Sequence, residues 1–118
     1  MNNTRIKKIN DTIKKELSKI IFYEIRDPRL DLIYISQVKV NKTLQICKVY
    51  FTYLIVNDSD NYHINLLNNA KNFLRYRLSK NLNIYTIPKL HFYIDNTIQN
   101  TIKLEMLFKK LNVNKWKI

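Results

Sequence analysis

"INLLNNAKNFLRYRLSKNL", residues 64–82, is the segment on which the fold turns. Leu67, Ala70, Leu74 and Leu78 recur at spacings of three and four, which puts them in one apolar stripe along a helix. Asn68, Asn69 and Asn72 crowd the middle of that helix, although asparagine is a poor helix former. A central helix with an interruption is expected, and the segments around it decide what it packs on.

Upstream, Ile6, Ile9, Ile13, Leu17, Ile20 and Ile21 follow helical spacing. At ~100° per residue, Lys8, Lys15, Lys19 and Arg26 fall on the opposite side, giving an amphipathic helix with a basic back. It should stop before Pro28, which disfavours helical geometry in the residue preceding it, so "RDPRL" (26–30) becomes an exit turn. From Ile33 to Val40 the pattern alternates, with Ile33 and Ile35 in one phase and Val38 and Val40 in the other, which predicts a bulge near Ser36 and Gln37. "NKT" (41–43) makes a hairpin turn, and Cys47, Val49, Phe51, Tyr53 and Ile55 mark the core side of the return strand.

Downstream of "NDSDN" (57–61), a loop able to start a helix, comes the opening segment. Past Pro88, Leu90, Phe92 and Ile94 alternate with His91 and Tyr93 in a third strand. "DNT" (95–97) offers capping residues for a last helix carrying Ile102, Leu104, Leu107, Phe108 and Leu111. Each strand has one apolar face, so the expectation is an α+β domain, a three-stranded sheet covered by helices on one face. At 118 residues the chain is read as a single domain spanning residues 1–118, with a core of about 5–111.

Composition narrows the partners. Lys and Arg number 21 against 9 Asp and Glu, a formal charge of +12 that repels itself in so small a domain unless a polyanion answers it. Nucleic acid is the leading class. Glycine is absent, where ~7% is usual, so part of the lysine excess reflects a compositional drift of the whole chain. The N-terminus carries Asp11, Glu16 and Glu24 and lacks the apolar core of a signal peptide, and no apolar run reaches the ~18 residues a membrane span needs. The single Cys47 fits a reducing compartment, so a soluble cytoplasmic protein is expected.

The residues for catalysis are hard to find. A chain without glycine has no phosphate-cradling glycine loop and no dinucleotide fingerprint. One cysteine and two histidines do not make a standard zinc site, and no cofactor, metal or small-molecule substrate is indicated. His63 reads as a surface helix residue, His91 as a residue of the open sheet face, and Cys47 as a small buried hydrophobe. No catalytic residue is assigned.

In order along the chain, "EIRDPRL", "VKVNKTLQICKVYFTYL", "NNAKNFLRYRLSKNL" and "IPKLHFYIDNTI" resemble the bacterial ribosome-binding factor A family, from about Arg5 to Leu111. The resemblance implies a type II KH-like fold with a kinked central helix and an extra C-terminal helix. The family's kink is an Ala-x-Gly element, and Ala70, Lys71 and Asn72 occupy its place here. Asparagine tolerates bent backbone better than other non-glycine residues, while a straight helix with exposed asparagines is the alternative. The resemblance also implies a non-catalytic assembly factor that binds the free 30S subunit and assists late maturation and 5′-end processing of 16S rRNA.

Two groups are candidate RNA contacts: Lys8, Lys15, Lys19 and Arg26 on the back of the first helix, and Lys71, Arg75, Arg77 and Lys80 around the kink. Arg29 is a further candidate that could equally pin the exit turn to Asp31. Charge reversal of Arg75 with Lys80 is expected to weaken binding without moving the thermal midpoint. Lys39, Lys48, Tyr50, His91 and Tyr93 form a secondary surface on the open sheet face. The competing readings are a generic basic RNA-binding domain, a small RNA-processing hydrolase, and a membrane-surface module resting on the first helix. A monomer is the default state.

Overall fold

A computed structural model describes residues 3–25, 33–53, 60–83 and 86–95. Along these the chain forms α1 (Asn3–Lys19), β1 (Ile33–Val40), β2 (Ile46–Tyr53), α2 (Asp60–Asn81) and β3 (Lys89–Ile94). The sheet order is β1-β2-β3, with β1 antiparallel and β3 parallel to β2. Antiparallel neighbours can be joined by a short hairpin, whereas a parallel pair needs a long crossover, and α2 is that crossover. The exit turn around Pro28, the loop expected at 57–61 apart from its last two positions, and the last helix lie outside the described residues.

The core is one cluster between sheet and helices. Ile13, Leu17, Ile20 and Ile21 come from the first helical segment, Leu67, Leu74 and Leu78 from α2, and Ile35, Val38, Val40, Cys47, Val49, Phe51, Leu90 and Phe92 from the sheet. α1 lies chiefly over β1 and α2 over β3, so the helices cover a single face. The phase switch in β1 is a bulge: Ile35 pairs with Phe51 and Gln37 with Tyr50, leaving Ser36 as the extra residue. That insertion lets Ile35, Val38 and Val40 all point to the core. The Ser36 hydroxyl donates to the Asp95 carboxylate at 2.5 Å and lies 3.2 Å from the Tyr50 carbonyl oxygen, which ties the bulge to β2 and to the residue that follows β3.

Two expectations about the helices are corrected. α2 runs uninterrupted through Ala70, Lys71 and Asn72, so the expected break is absent. Asn65, Asn68, Asn69 and Asn72 instead sit on its exposed side, where they need bend nothing because the Leu67–Leu74–Leu78 stripe supplies the packing. The irregular helix is the first one: Ile20–Glu24 form a π-helical turn closed by the Ile25 N–H on the Ile20 carbonyl at 3.1 Å. The extra residue lets adjacent Ile20 and Ile21 both enter the core and leaves Tyr23 outside.

His63 is the second correction. It lies four residues before Leu67, on the same stripe, and is fully buried with its ring stacked on Tyr53 at 3.7 Å. Spacing, rather than polarity, decides its place. His91 is exposed on the open face, as the alternation in β3 requires.

Candidate nucleic-acid interface

The outer face of α1 is built by the arithmetic of the helix. With Ile13 and Leu17 locked inward, Lys8, Lys15 and Lys19 project within roughly 40° of one another on the far side, all exposed. Lys19 makes a loose contact with Glu16 at 3.9 Å; Lys8 and Lys15 have no ion-pair partner among the described residues. Lys7 is exposed on the adjacent flank, a position the stripe itself marks as outward. Glu16 also accepts from the Asn81 side-chain amide at 3.5 Å, tying it to the neighbouring helix, and the exposed Asp11 stands one turn from both Lys8 and Lys15. Arg26 and Arg29 lie outside the described residues.

The four basic residues of α2 do not form one cluster. Successive residues turn by ~100°, so Arg75 and Arg77 emerge on opposite flanks of the helix. The Arg75 guanidinium donates to the carbonyl oxygens of Ile87 at 3.0 Å and Pro88 at 3.2 Å, clamping the helix to the chain that enters β3. Arg77 pairs with Glu24 of the π-helical turn, fastening α2 to the first helix. Both arginines are thus committed to holding the fold. Lys71 is half-buried on the Arg75 side, and Lys80 is exposed with its ammonium 5.4 Å from the centre of the Tyr76 ring.

What surrounds Lys80 is aromatic and amide rather than cationic. Phe73 and Tyr76 are 43% and 57% exposed, beside Asn69 and Asn72. The sequence marks them, since neither belongs to the Leu67–Ala70–Leu74–Leu78 stripe and a large apolar residue off the stripe must reach solvent.

The open face of the sheet carries a third group. Lys39, Lys48 and His91 stand in register across the three strands, and the next row is Gln37, Tyr50 and Tyr93. Tyr50 and Tyr93 stack with ring centres 5.5 Å apart.

Among the described residues no three His, Cys, Asp or Glu side chains stand close enough to hold a metal ion. Cys47 is fully buried, and burial pushes its thiol pKa up to about 12, the opposite of what a nucleophile needs. No described helix is long and apolar enough to cross a membrane.

Cationic rows on a small α+β domain suit a polyanion, and comparison with known proteins identifies the lineage. The family model described as "Ribosome-binding factor A" matches residues 5–108. The chain belongs to the ribosome-binding factor A family. A ribosome-binding factor A of Burkholderia thailandensis is 36% identical over 109 residues, covering 92% of this chain and 88% of the relative. That of Burkholderia cenocepacia is 38% identical over 104 residues, covering 88% and 77%.

Solved structures agree on the fold. The solution structure of a putative ribosome-binding factor A from Thermotoga maritima superposes with a TM-score of 0.68 at 30% identity, covering 83% of this chain and 95% of that one. The crystal structure from Thermus thermophilus gives a TM-score of 0.67 at 21% identity, covering 75% and 94%. A Thermus thermophilus homology model fitted into a cryo-electron-microscopy map of a 30S complex gives 0.58 at 23% identity, covering 71% and 88%. The architecture is consistent with the KH-like fold of ribosome-binding factor A, and α2 runs unbroken through the place where the resemblance implies a kink.

Proposed function

We propose that this chain is a single-domain, monomeric, cytoplasmic assembly factor that binds the free 30S subunit and assists late maturation of 16S rRNA, including its 5′ end, without catalysing a reaction. Membership in the ribosome-binding factor A family supports this, as does the 30S complex into which the Thermus protein was fitted. The observation that carries the reading is the α1 row: Lys8, Lys15 and Lys19 aligned and exposed on a helix whose other side is fixed in the core. Such a row meets phosphates spaced along a folded RNA without needing base identity, which suits recognition of shape. Lys80 adds a cation on α2, and Lys71 a half-buried one, while Arg75 and Arg77 act through the fold rather than by touching RNA.

The test is cosedimentation of the purified protein with free small subunits, large subunits and assembled ribosomes over a salt series. Selective retention on the small subunit at physiological salt is expected. Equal, salt-labile binding to all three would reduce the protein to a generic basic domain. Release of a matured 16S 5′ end by the protein alone would overturn the non-catalytic assignment.

A further inference from the structure

The described helices cover one face of the sheet; the other is exposed at Gln37, Lys39, Lys48, Lys89, His91 and Tyr93 and buried at Thr52. The open one is cationic and carries an exposed aromatic ring. Lys39, Lys48, Lys89, His91, Gln37 and Tyr93 are all exposed on it, and Ile46 is the sole aliphatic side chain among its exposed members. Asp95, the acidic residue nearest this surface in sequence, has its carboxylate engaged by Ser36. None of Lys39, Lys48, Lys89 and His91 has an ion-pair partner among the described residues.

We propose that this face is a second RNA surface that takes an unpaired stretch of RNA, bases stacking on Tyr93 beside Tyr50 while Lys39, Lys48 and Lys89 hold the phosphates. The inference rests on the RNA-binding reading above and adds a separate site to it. Register supplies the geometry. Residues two apart on a strand project to the same side about 6.6 Å apart, and neighbouring strands lie about 4.8 Å apart. Lys89, His91 and Tyr93 therefore form a ladder along β3, with Lys48 and Tyr50 beside it on β2. Cations at Lys48 and Lys89 thus stand beside the rings of His91, Tyr50 and Tyr93 on two adjacent strands, within reach of the phosphates and bases of one RNA strand.

The chemistry favours unpaired RNA over a duplex. Bases inside a duplex are stacked on one another and present no ring face, whereas unpaired bases stack on aromatic side chains without regard to sequence. Tyr93 is 43% exposed even though it packs on Tyr50, so one side of the stacked pair is left for a base. The site also differs in kind from the α1 row, where no aromatic residue lies between Lys8, Lys15 and Lys19.

The experiment uses the full chain and fluorescence anisotropy with a short labelled oligouridylate and a labelled RNA hairpin duplex. Tyr93→Ala should weaken oligouridylate binding roughly tenfold and duplex binding less than twofold, while Tyr93→Phe retains stacking and binds as wild type. Lys48→Gln should lower the slope of log affinity against log salt for the oligouridylate by about 0.7. These solvent-facing changes are checked by thermal melting, and the lysine variant stands alone if Tyr93→Ala unfolds. Unchanged oligouridylate binding in Tyr93→Ala and Lys48→Gln, with wild type still selecting the small subunit, overturns the second surface and leaves the subunit assignment standing. An unchanged result in both variants would also fit a face covered by the chain's own residues or by a protein. Loss of oligouridylate binding in the variants, with no small-subunit selectivity in the wild type, supports the surface and removes the assignment.

Discussion

Replacing Arg75 with alanine separates a structural arginine from an RNA contact. Its guanidinium forms two hydrogen bonds, to the carbonyl oxygens of Ile87 and Pro88, and Pro88 is fully buried where the chain turns into β3. A hydrogen bond to a charged group is worth about 1.5–3 kcal/mol, and these two share one guanidinium at a part-buried site, so they do not add in full. A loss of roughly 2–4 kcal/mol is therefore expected. With ~2.1 cal/mol/K per residue of unfolding entropy, 118 residues make 1 kcal/mol equal to about 4 °C, so the thermal midpoint should fall by about 8–16 °C. Circular dichroism melting measures this directly. Arg75→Lys should recover less than half, because an ammonium lacks the planar fork that spans two carbonyls. Lys80→Ala, at an exposed site on the same helix, should move the midpoint by less than ~2 °C. Small-subunit binding by Arg75→Ala, measured well below its own midpoint, should stay near wild type. If Arg75→Ala melts with the wild type but loses subunit binding, the clamp is wrong and Arg75 belongs to the RNA interface. The same geometry removes the expectation that reversing Arg75 with Lys80 leaves the midpoint unmoved.

The remaining predictions address the interface, the core and the central helix. Charge removal at Lys8, Lys15 and Lys19 together should reduce the salt slope of subunit binding by about 2, at ~0.7–0.9 for each phosphate no longer neutralised, with no large change in melting. A slope unchanged from wild type would take the α1 row out of the interface. Because Cys47 is buried with its thiol pKa raised from 9.0 to about 12, the unfolded chain ionises first as pH rises. Stability from this group is complete below about pH 9 and declines by ~1.4 kcal/mol per pH unit towards 12; Cys47→Ala should flatten that part of the pH profile in denaturant titrations. Asn72→Pro should cost ~3 kcal/mol or more if α2 is continuous, since it removes a helical hydrogen bond and clashes with the preceding turn, and a near-neutral result in urea unfolding would restore the break.

Burial periodicity was legible in the sequence wherever one face meets the core. The stripe of α1, the alternation of β2 and β3, and the phase switch that predicts the Ser36 bulge all follow from which side chains leave water. Polarity misled at His63, whose spacing placed it with Leu67 and whose imidazole is accommodated by Tyr53. Charge was the least legible property. A cationic residue looks the same in a sequence whether its partner is a phosphate, a carboxylate or a backbone carbonyl, and only tertiary contacts assign Arg75 to Pro88 and Arg77 to Glu24. Side chains without such tertiary partners, Lys8 and Lys15, were placed by periodicity alone.

A chain with no glycine must make its bends with other residues, and the structure shows what holds each described one. At the hairpin Leu44 adopts φ 60°, the left-handed region that costs a residue with a Cβ roughly 1 kcal/mol. Asn41 offsets this: its side-chain oxygen accepts from the N–H groups of Gln45 at 2.8 Å and Ile46 at 3.0 Å, its carbonyl accepts from Leu44, and its N–H donates to Ile46. Asp95 does the equivalent work for the bulge, and the Ile25–Ile20 hydrogen bond closes the π-helical turn. Every described irregularity is thus anchored by a specific hydrogen bond. Asn68, Asn69 and Asn72 have no such anchor among the described residues and no break to serve, so a motif that implies a kink sits here on an unbroken helix. Without a kink there is no loosened helix end at Asn72 to offer backbone N–H groups to phosphate. On the proposed function the RNA contacts would then come from side chains, which moves the weight of the proposed interface from the middle of α2 to the lysines of α1.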